Sequence, residues 1–182
     1  YKLILIALSL MLFGCANKPT PDRAVSTSRT INSDIQAAEH RNISSELINN
    51  IPSVTMNRTA LVIGNSDYKL MPLSNPKNDA TDIATKLKSL GFQVILATDK
   101  NKKEVKNLIR KFGQSLRKRG GVGLFFYAGH GLQIDGKNYL VPTDFNVSAA
   151  YEVSDASIDV GLVTGAMEEA NNPLNIIVLD AC

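Results

Sequence analysis

The chain has 182 residues, 44% of them apolar, and carries 20 Lys and Arg against 17 Asp and Glu for a formal net charge of +3. That length supports one well-buried domain plus a tail, and so small a surplus, interleaved with acids, gives no ground for a nucleic-acid partner. The two Cys and two His (Cys15, Cys182, His40 and His130) are scattered without metal-ligand spacing, so no metal and no cofactor is expected.

Taken in chain order, the first signal is Lys2 followed by an uncharged and mostly apolar run over 3–13. This is the length of a secretory signal core, well short of the roughly 20 residues that span a bilayer. The run closes in Leu12-Phe13-Gly14-Cys15. That ending resembles the lipobox of bacterial lipoproteins, in which the thiol after a small residue is acylated and becomes the mature N-terminus. Phe13 is bulkier than usual there, and a plain secretory leader with a coincidental Cys is the alternative. The expectation is a lipoprotein-type signal over 1–15, with Cys15 lipidated and the protein held on the extracytoplasmic side of a bacterial membrane, in the cell envelope. The chain opens on Tyr1 rather than Met and stops at Cys182, and it reads as clipped at both ends.

Residues 16–57 are rich in Asn, Ser, Thr and Arg, with Pro19, Pro21 and Pro52, and read as a flexible polar tether. A short helix over 34–49 is compatible with the loose spacing of Ile35, Ala38, Ile43 and Leu47, and His40 within it reads as a surface residue.

The folded domain is expected over 58–182. Ala60 to Gly64 is a short apolar run fit for a central strand. In the polar loop that follows, Asn65, Ser66 and Asp67 either border a cleft or form an Asx turn. Asn75-Pro76 supplies an N-cap and a first-turn proline, Ala80, Ile83, Ala84 and Leu87 follow at helical spacing, and Gly91 closes the helix. Phe92 to Ala97 is a second strand. Val105, Leu108, Ile109, Phe112 and Leu116 stripe a second helix, on which the basic stretch Lys100 to Arg119 reads as a solvated face rather than a polyanion site.

A third strand, Val122 to Ala128, with Tyr127 packed in or beside the core, runs into Gly129-His130-Gly131. Asp135-Gly136 between two short alternating runs signals a hairpin turn. Ser157 to Ala170 has a helical pattern with Leu162, Val163, Ala166 and Met167 inward, and Asn175 to Leu179 is a fourth core strand. The order β-α-β-α-β-hairpin-α-β predicts an α/β fold whose parallel strands are joined by crossovers.

Cys182 and His130, 52 positions apart, each fall just past the carboxyl end of a predicted strand, the edge of an open parallel sheet where ligands bind. A thiol with a pKa near 8.5 needs a base to become a good nucleophile at neutral pH, and an imidazole near 6.5 is suited to take its proton and return it to a leaving amine. Parallel neighbours lie roughly 4.8 Å apart, so consecutive strand ends can bring the two groups together. Gly129 and Gly131 let substrate backbone approach, and the Gly131 amide can face a developing oxyanion. A lone Gly-His-Gly would be a turn with a satisfied histidine; the strand-terminal Cys favours a catalytic reading. With Cys15 lipidated, Cys182 has no disulfide partner within the chain.

Six segments in order, Ala60-Leu-Val-Ile-Gly-Asn, Leu73-Ser-Asn-Pro-Lys-Asn-Asp-Ala, Gly91-Phe-Gln-Val, Phe126-Tyr-Ala-Gly-His-Gly, Tyr139-Leu-Val-Pro-Thr-Asp and Val178-Leu-Asp-Ala-Cys, resemble the large-subunit half of a caspase-like peptidase over residues 58–182. The resemblance implies a three-layer α/β sandwich with a mostly parallel central sheet, truncated after the nucleophile strand, plus a β-hairpin. It also implies endopeptidase chemistry by a Cys-His dyad, with Cys182 as nucleophile, His130 as base and the Gly131 amide in the oxyanion hole. Asp180-Ala181-Cys182 departs from the Gln-Ala-Cys of caspases and is similar to metacaspases and paracaspases, in which the acid helps line the pocket for the residue before the cut. Asp79 falls where those families place a second pocket carboxylate. The resemblance therefore implies a protein or peptide substrate cut after Arg or Lys. A first-turn helix acid for Asp79 and a strand-end turn residue for Asp180 are the plainer readings. Two other functions stay open: an inactive caspase-like scaffold or binding domain at the membrane, and a small-molecule hydrolase or transferase using the same dyad.

Overall fold

The structure, a computed structural model, describes residues 3–8 and 56–181, with side chains described from Met56 onward. Cys15, the tether and its candidate helix with His40, and Cys182 lie outside the described residues. Arg58–Gly64 forms β2, Gln93–Thr98 β3, Val122–Gly129 β4 and Leu174–Ala181 β8, all parallel in one sheet with Leu3–Leu8 as β1. The strand order is β1-β8-β4-β2-β3. β5 (Gly131–Ile134), β6 (Lys137–Leu140) and β7 (Ile158–Asp159) make a small antiparallel sheet.

Alternation along the strands divides the core into two layers. On one face of the sheet, Ala60 and Val62 of β2 and Phe126 and Ala128 of β4 pack on Ala80, Ala84 and Leu87 of α1 (Pro76–Ser89). On the other face, Leu61, Ile63, Phe125, Tyr127, Ile177 and Leu179 meet Val105, Ile109, Phe112 and Leu116 of α2 (Lys102–Arg119) and Val163 and Met167 of α4 (Gly161–Glu169). A parallel strand between two helical layers must be apolar on both sides, which is why these strands read as continuous apolar runs. The three-layer sandwich expected from the resemblance is the observed architecture.

Local chemistry explains most element ends. Asn101 opens α2 with a reciprocal cap, its Oδ1 accepting from the Glu104 amide (2.9 Å) while Glu104 Oε2 accepts from the Asn101 amide (3.0 Å). Asn75 sits at the N-cap of α1 as expected, but its side chain makes no capping bond; the Ser66 hydroxyl accepts the Lys77 amide instead, at 3.2 Å. Asp135 and Gly136 turn the β5–β6 hairpin with φ of 49° and 75°, the positive pair that a type I′ turn requires.

Three expectations are corrected. The helix expected from Ser157 starts only at Gly161, because Ile158 and Asp159 pair with Leu140 and Tyr139 of β6 and the Val160 amide bonds Asn138 O. Asp159 Oδ1 then accepts the Gly161 amide at 2.7 Å, giving the late start its own local partner. Leu162, expected inward, is 46% exposed. The sheet gains a fifth strand, since residues 3–8 pair with β8 from Leu3↔Leu174 to Leu8↔Leu179. An apolar run there meets backbone groups that would otherwise leave β8 as an open edge. Between β7 and the hairpin, a 3-10 turn (Ala150–Glu152) leads into α3 (Val153–Ala156).

Phe112, fully buried between α2 and the sheet, is the sharpest test of this packing. Phe112→Ala is expected to lower unfolding free energy by about 3–5 kcal/mol through lost burial and the cavity left behind. Leu162→Ala is expected to change it by less than about 1 kcal/mol. Denaturant titration of both variants checks the contrast; similar losses would contradict the layer assignment.

Candidate active site

The site is built where β4 and β8 end together. Their register runs from Val122↔Leu174 to Gly129↔Ala181. His130 follows Gly129 in sequence, and Cys182 follows Ala181. Gly131 lies against the same point, since a Cβ added there would stand 2.9 Å from the Ala181 Cβ. A side chain at 131 would push apart the two strand ends that the site needs adjacent. Gly129 has φ 154° and its absent Cβ would fall 2.6 Å from Tyr68 Oη and 2.7 Å from Tyr127 Oη, so glycine is required for both backbone and space.

His130 is held on three sides. Its Nε2 lies 2.7 Å from the Met71 carbonyl, which only accepts, so Nε2 carries the proton and the neutral ring keeps its lone pair on Nδ1. The peptide N–H of His130 donates to Tyr68 Oη at 3.0 Å. Its carbonyl accepts from the Val141 amide at 3.0 Å and from the Tyr127 hydroxyl at 3.1 Å. Tyr68 also stacks obliquely on the imidazole, ring centroids 4.6 Å apart at 55°. Burial, above all, pushes the Tyr127 phenol well above its ordinary range, and the neighbouring Tyr68 adds to the effect. Burial likewise raises Tyr68. Both are neutral hydrogen-bond donors at any physiological pH.

Met71 and Tyr68 come from the loop between β2 and α1, whose root is fastened by polar groups. Asn65, fully buried, accepts the Lys100 amide (2.9 Å) and donates to the Lys100 carbonyl (3.2 Å). Asp99 Oδ1 accepts the amides of Ser66 and Asp67, each at 2.9 Å, and its Oδ2 pairs with Lys77 at 2.9 Å. Partial burial pushes the Asp99 carboxyl up, but the Ser66 amide, Lys77 and the Asp67 amide together hold it below the usual range. Of the two readings open for Asn65, Ser66 and Asp67, neither describes Asn65, which ties the loop after β2 to the loop after β3.

Asp79 stands in the first turn of α1 and Asp180 at the end of β8, opposite Ala128. Asp79 is half-buried and Asp180 exposed. Burial raises the Asp79 carboxyl above its usual range, and the charge of Asp180, then that of Asp82, raises it further. The charge of Asp180, which the sequence reading paired with Asp79, therefore reaches the Asp79 carboxyl. A helix first turn favours an ionised acid, and the upward shift runs against that preference, through lost water first and the neighbouring carboxylates second.

Among the described residues no group of three or more His, Cys, Asp or Glu is placed to hold a metal ion, and no helix is long and apolar enough to cross a membrane. A groove of about 600 Å³ between α2 and α4, lined by Lys106, Ile109, Arg110 and Leu162 among others, shares no residue with the strand-end site. Tyr68, Met71 and Asp99 escaped the sequence reading. An aromatic residue isolated in the polar loop Asn65-Ser-Asp-Tyr-Lys was the one available sign that the loop is anchored inward.

Comparison with known proteins places residues 57–182 in a family described as the caspase domain. Over 126 residues the chain is 33% identical to the human mucosa-associated lymphoid tissue lymphoma translocation protein 1 and equally to its mouse homolog. The match covers 69% of this chain and 15% of each relative, so the chain spans a small part of their length.

The raised Asp79 carboxyl has a consequence for stability. Between the ordinary carboxylate range and the raised value, the folded state holds a proton that the unfolded chain has released, so stability falls as pH rises through that window and the penalty is complete above it. Asp79→Asn is expected to raise Tm at pH 7 and leave it unchanged near pH 3. Thermal unfolding at both values checks this; an equal shift at both would exclude the electrostatic cause.

Proposed function

The chain belongs to the caspase-domain family of cysteine peptidases, and we propose that it hydrolyses peptide bonds with a Cys182–His130 dyad, cutting after Arg or Lys. The observation that carries this reading is the 2.7 Å contact between His130 Nε2 and the Met71 carbonyl. With Nε2–H given to the Met71 carbonyl, Nδ1 is the nitrogen left to accept a proton, and the ring follows a residue whose strand partner precedes Cys182.

In the proposed reaction the Cys182 Sγ–H passes its proton to His130 Nδ1, and the thiolate attacks the carbonyl carbon of the scissile bond. The negative charge that develops on the carbonyl oxygen is met by the Gly131 amide. The carbon–nitrogen bond then breaks, and the imidazolium returns its proton to the leaving amine. Water, deprotonated by His130, attacks the thioester, and the thiolate leaves and is reprotonated. Asp79 and Asp180 accept the cationic side chain before the cut, where they attract Arg or Lys and repel an acidic residue.

Matched fluorogenic peptides ending in Arg, Lys or Asp test the proposal. Cleavage is expected for Arg and Lys and not for Asp. Cys182→Ala and His130→Ala are each expected to lower kcat/KM by more than about 10³-fold. Asp79→Ala or Asp180→Ala is expected to cost about thirtyfold or more on basic peptides, the scale of leaving one member of a charge pair unpartnered. Activity that survives Cys182→Ala, or a preference for Asp, would refute the reading; a folded protein without any cleavage would favour a binding role.

We further propose that the apolar run over 3–13 and Cys15 form a lipoprotein signal whose removal at Cys15 takes β1 away and leaves β8 as the edge strand of the mature domain, which the lipidated Cys15 then tethers through the polar segment 16–57 to the extracytoplasmic face of a bacterial membrane. The support is the Leu12-Phe13-Gly14-Cys15 ending. Metabolic labelling with palmitate in a bacterial host is expected to mark the wild type and not Cys15→Ser; unchanged labelling would remove the anchor.

A further inference from the structure

We propose that Tyr68 is the positioning residue of His130, gripping the histidine by both backbone and ring so that Nδ1 keeps a single direction. The proposal rests on the reading of His130 as the base of the peptidase reaction. Tyr68 is only 6% exposed although Asp67 and Lys69 flank it in a polar loop. Its hydroxyl accepts the His130 amide at 3.0 Å, and its ring lies obliquely on the imidazole at a centroid distance of 4.6 Å. Three residues further along the same loop, the Met71 carbonyl takes Nε2–H at 2.7 Å. One loop thus contacts the histidine at its amide, at its ring face and at one ring nitrogen.

The proton bookkeeping of this cluster closes only with Tyr68 present. Tyr68 and Tyr127 bring two hydroxyl hydrogens to Val141 O (3.2 and 2.8 Å), to His130 O (3.1 Å from Tyr127) and to each other (3.1 Å). Tyr127 donates best to Val141 O, and Tyr68, having received the His130 amide, donates to the Tyr127 oxygen or to the same carbonyl. Deleting the Tyr68 hydroxyl leaves the His130 N–H without the protein acceptor it has in the folded chain.

Leverage comes from the loop's root. Asp99 holds the Ser66 and Asp67 amides immediately before Tyr68, and Ser66 O accepts both the Tyr68 amide and the Leu73 amide at 3.0 Å. The segment 66–73 is therefore closed on itself and fastened to Asp99, just past β3, and Tyr68 and Met71 reach His130 from that root. A misaligned base lowers turnover more than binding, because alignment is demanded only when the proton moves.

The test uses the full chain labelled with ¹⁵N-histidine. Only two histidines are present, so a His40→Gln variant assigns the signals. The wild type is expected to show the Nε2–H tautomer at His130. Tyr68→Phe keeps the ring and loses the hydroxyl, and Tyr68→Leu loses both. On an Arg peptide, kcat is expected to fall about tenfold and about hundredfold respectively, with KM within about twofold, while the His130 signals move toward an averaged tautomer pattern. Tyr151→Phe, at an exposed residue, is expected to change neither. Folded Tyr68 variants that keep the wild-type ¹⁵N pattern and kcat would overturn the proposal, as would a loss confined to KM. If Tyr68→Leu does not fold, Tyr68→Phe, which retains the buried ring, decides. Should the wild type cleave no peptide, the ¹⁵N comparison alone decides: a shifted pattern upholds Tyr68 as the positioning residue while the peptidase reading fails separately.

Discussion

Parallel strands exchange side-chain faces if their pairing slips by a single residue, so the register of β4 against β8 constrains everything built at their ends. On β8, Asn175, Ile177 and Leu179 are buried while Asp180 is exposed. A one-residue slip would turn Ile177 and Leu179 away from α2 and α4 and bring Asp180 to a buried face. Core burial thereby fixes Gly129 opposite Ala181, so the place where β4 hands over to His130 is inherited from hydrophobic packing several residues upstream. The glycine at 131, whose Cβ would strike Ala181, keeps that inheritance intact past the last ladder position.

A second constraint is polar. The histidine loop, the loop after β2 and the start of the hairpin converge on a few buried groups, and each finds a partner: Asn65 with Lys100, Tyr127 with Val141, Tyr68 with His130. Buried polar groups left unpaired are costly, whereas a satisfied network specifies one arrangement. Hydrophobic burial sets where the strands lie, and these bonds set how the loops between them are aimed. A histidine on a loop without such partners would sample several rotamers; here its amide, carbonyl and Nε2 are all engaged.

The four core strands, the two long helices and the Asp135-Gly136 turn were legible in sequence because each is governed by local periodicity or dihedral preference. So was the position of His130 just past the end of β4, where the Gly129-His130-Gly131 run marks it in sequence. Met71 was not legible, because it acts through a carbonyl, which every residue possesses, and because its neighbour in space lies 59 positions away. Tyr68 was not legible either, because its partner His130 lies 62 positions away. Ser66 took over the capping that Asn75 was expected to perform, a tertiary bond prevailing over a local preference. Ile158 and Asp159 followed suit: helical spacing lost to an available partner strand, β6. Asp79 and Asp180 were placed by resemblance alone, and no pattern in the chain foretold that a helix start and a strand end would share one electrostatic field.

That shared field explains why a folded protein would keep two acids together. The raised Asp79 carboxyl is a cost in the free domain, since part of its water is lost and Asp180 repels its charge. On the proposed specificity, a guanidinium or ammonium beside both carboxylates would offset their repulsion, so the pair that costs stability in the free domain would favour a complex with a basic side chain. An acidic side chain meets the opposite balance, with a third negative charge added to two that already oppose each other. On that proposal, selectivity would draw on repulsion stored before binding. Because Asp79 is held by α1 and Asp180 by β8, the storage depends on the same sheet and helix layers that bring the strand ends together.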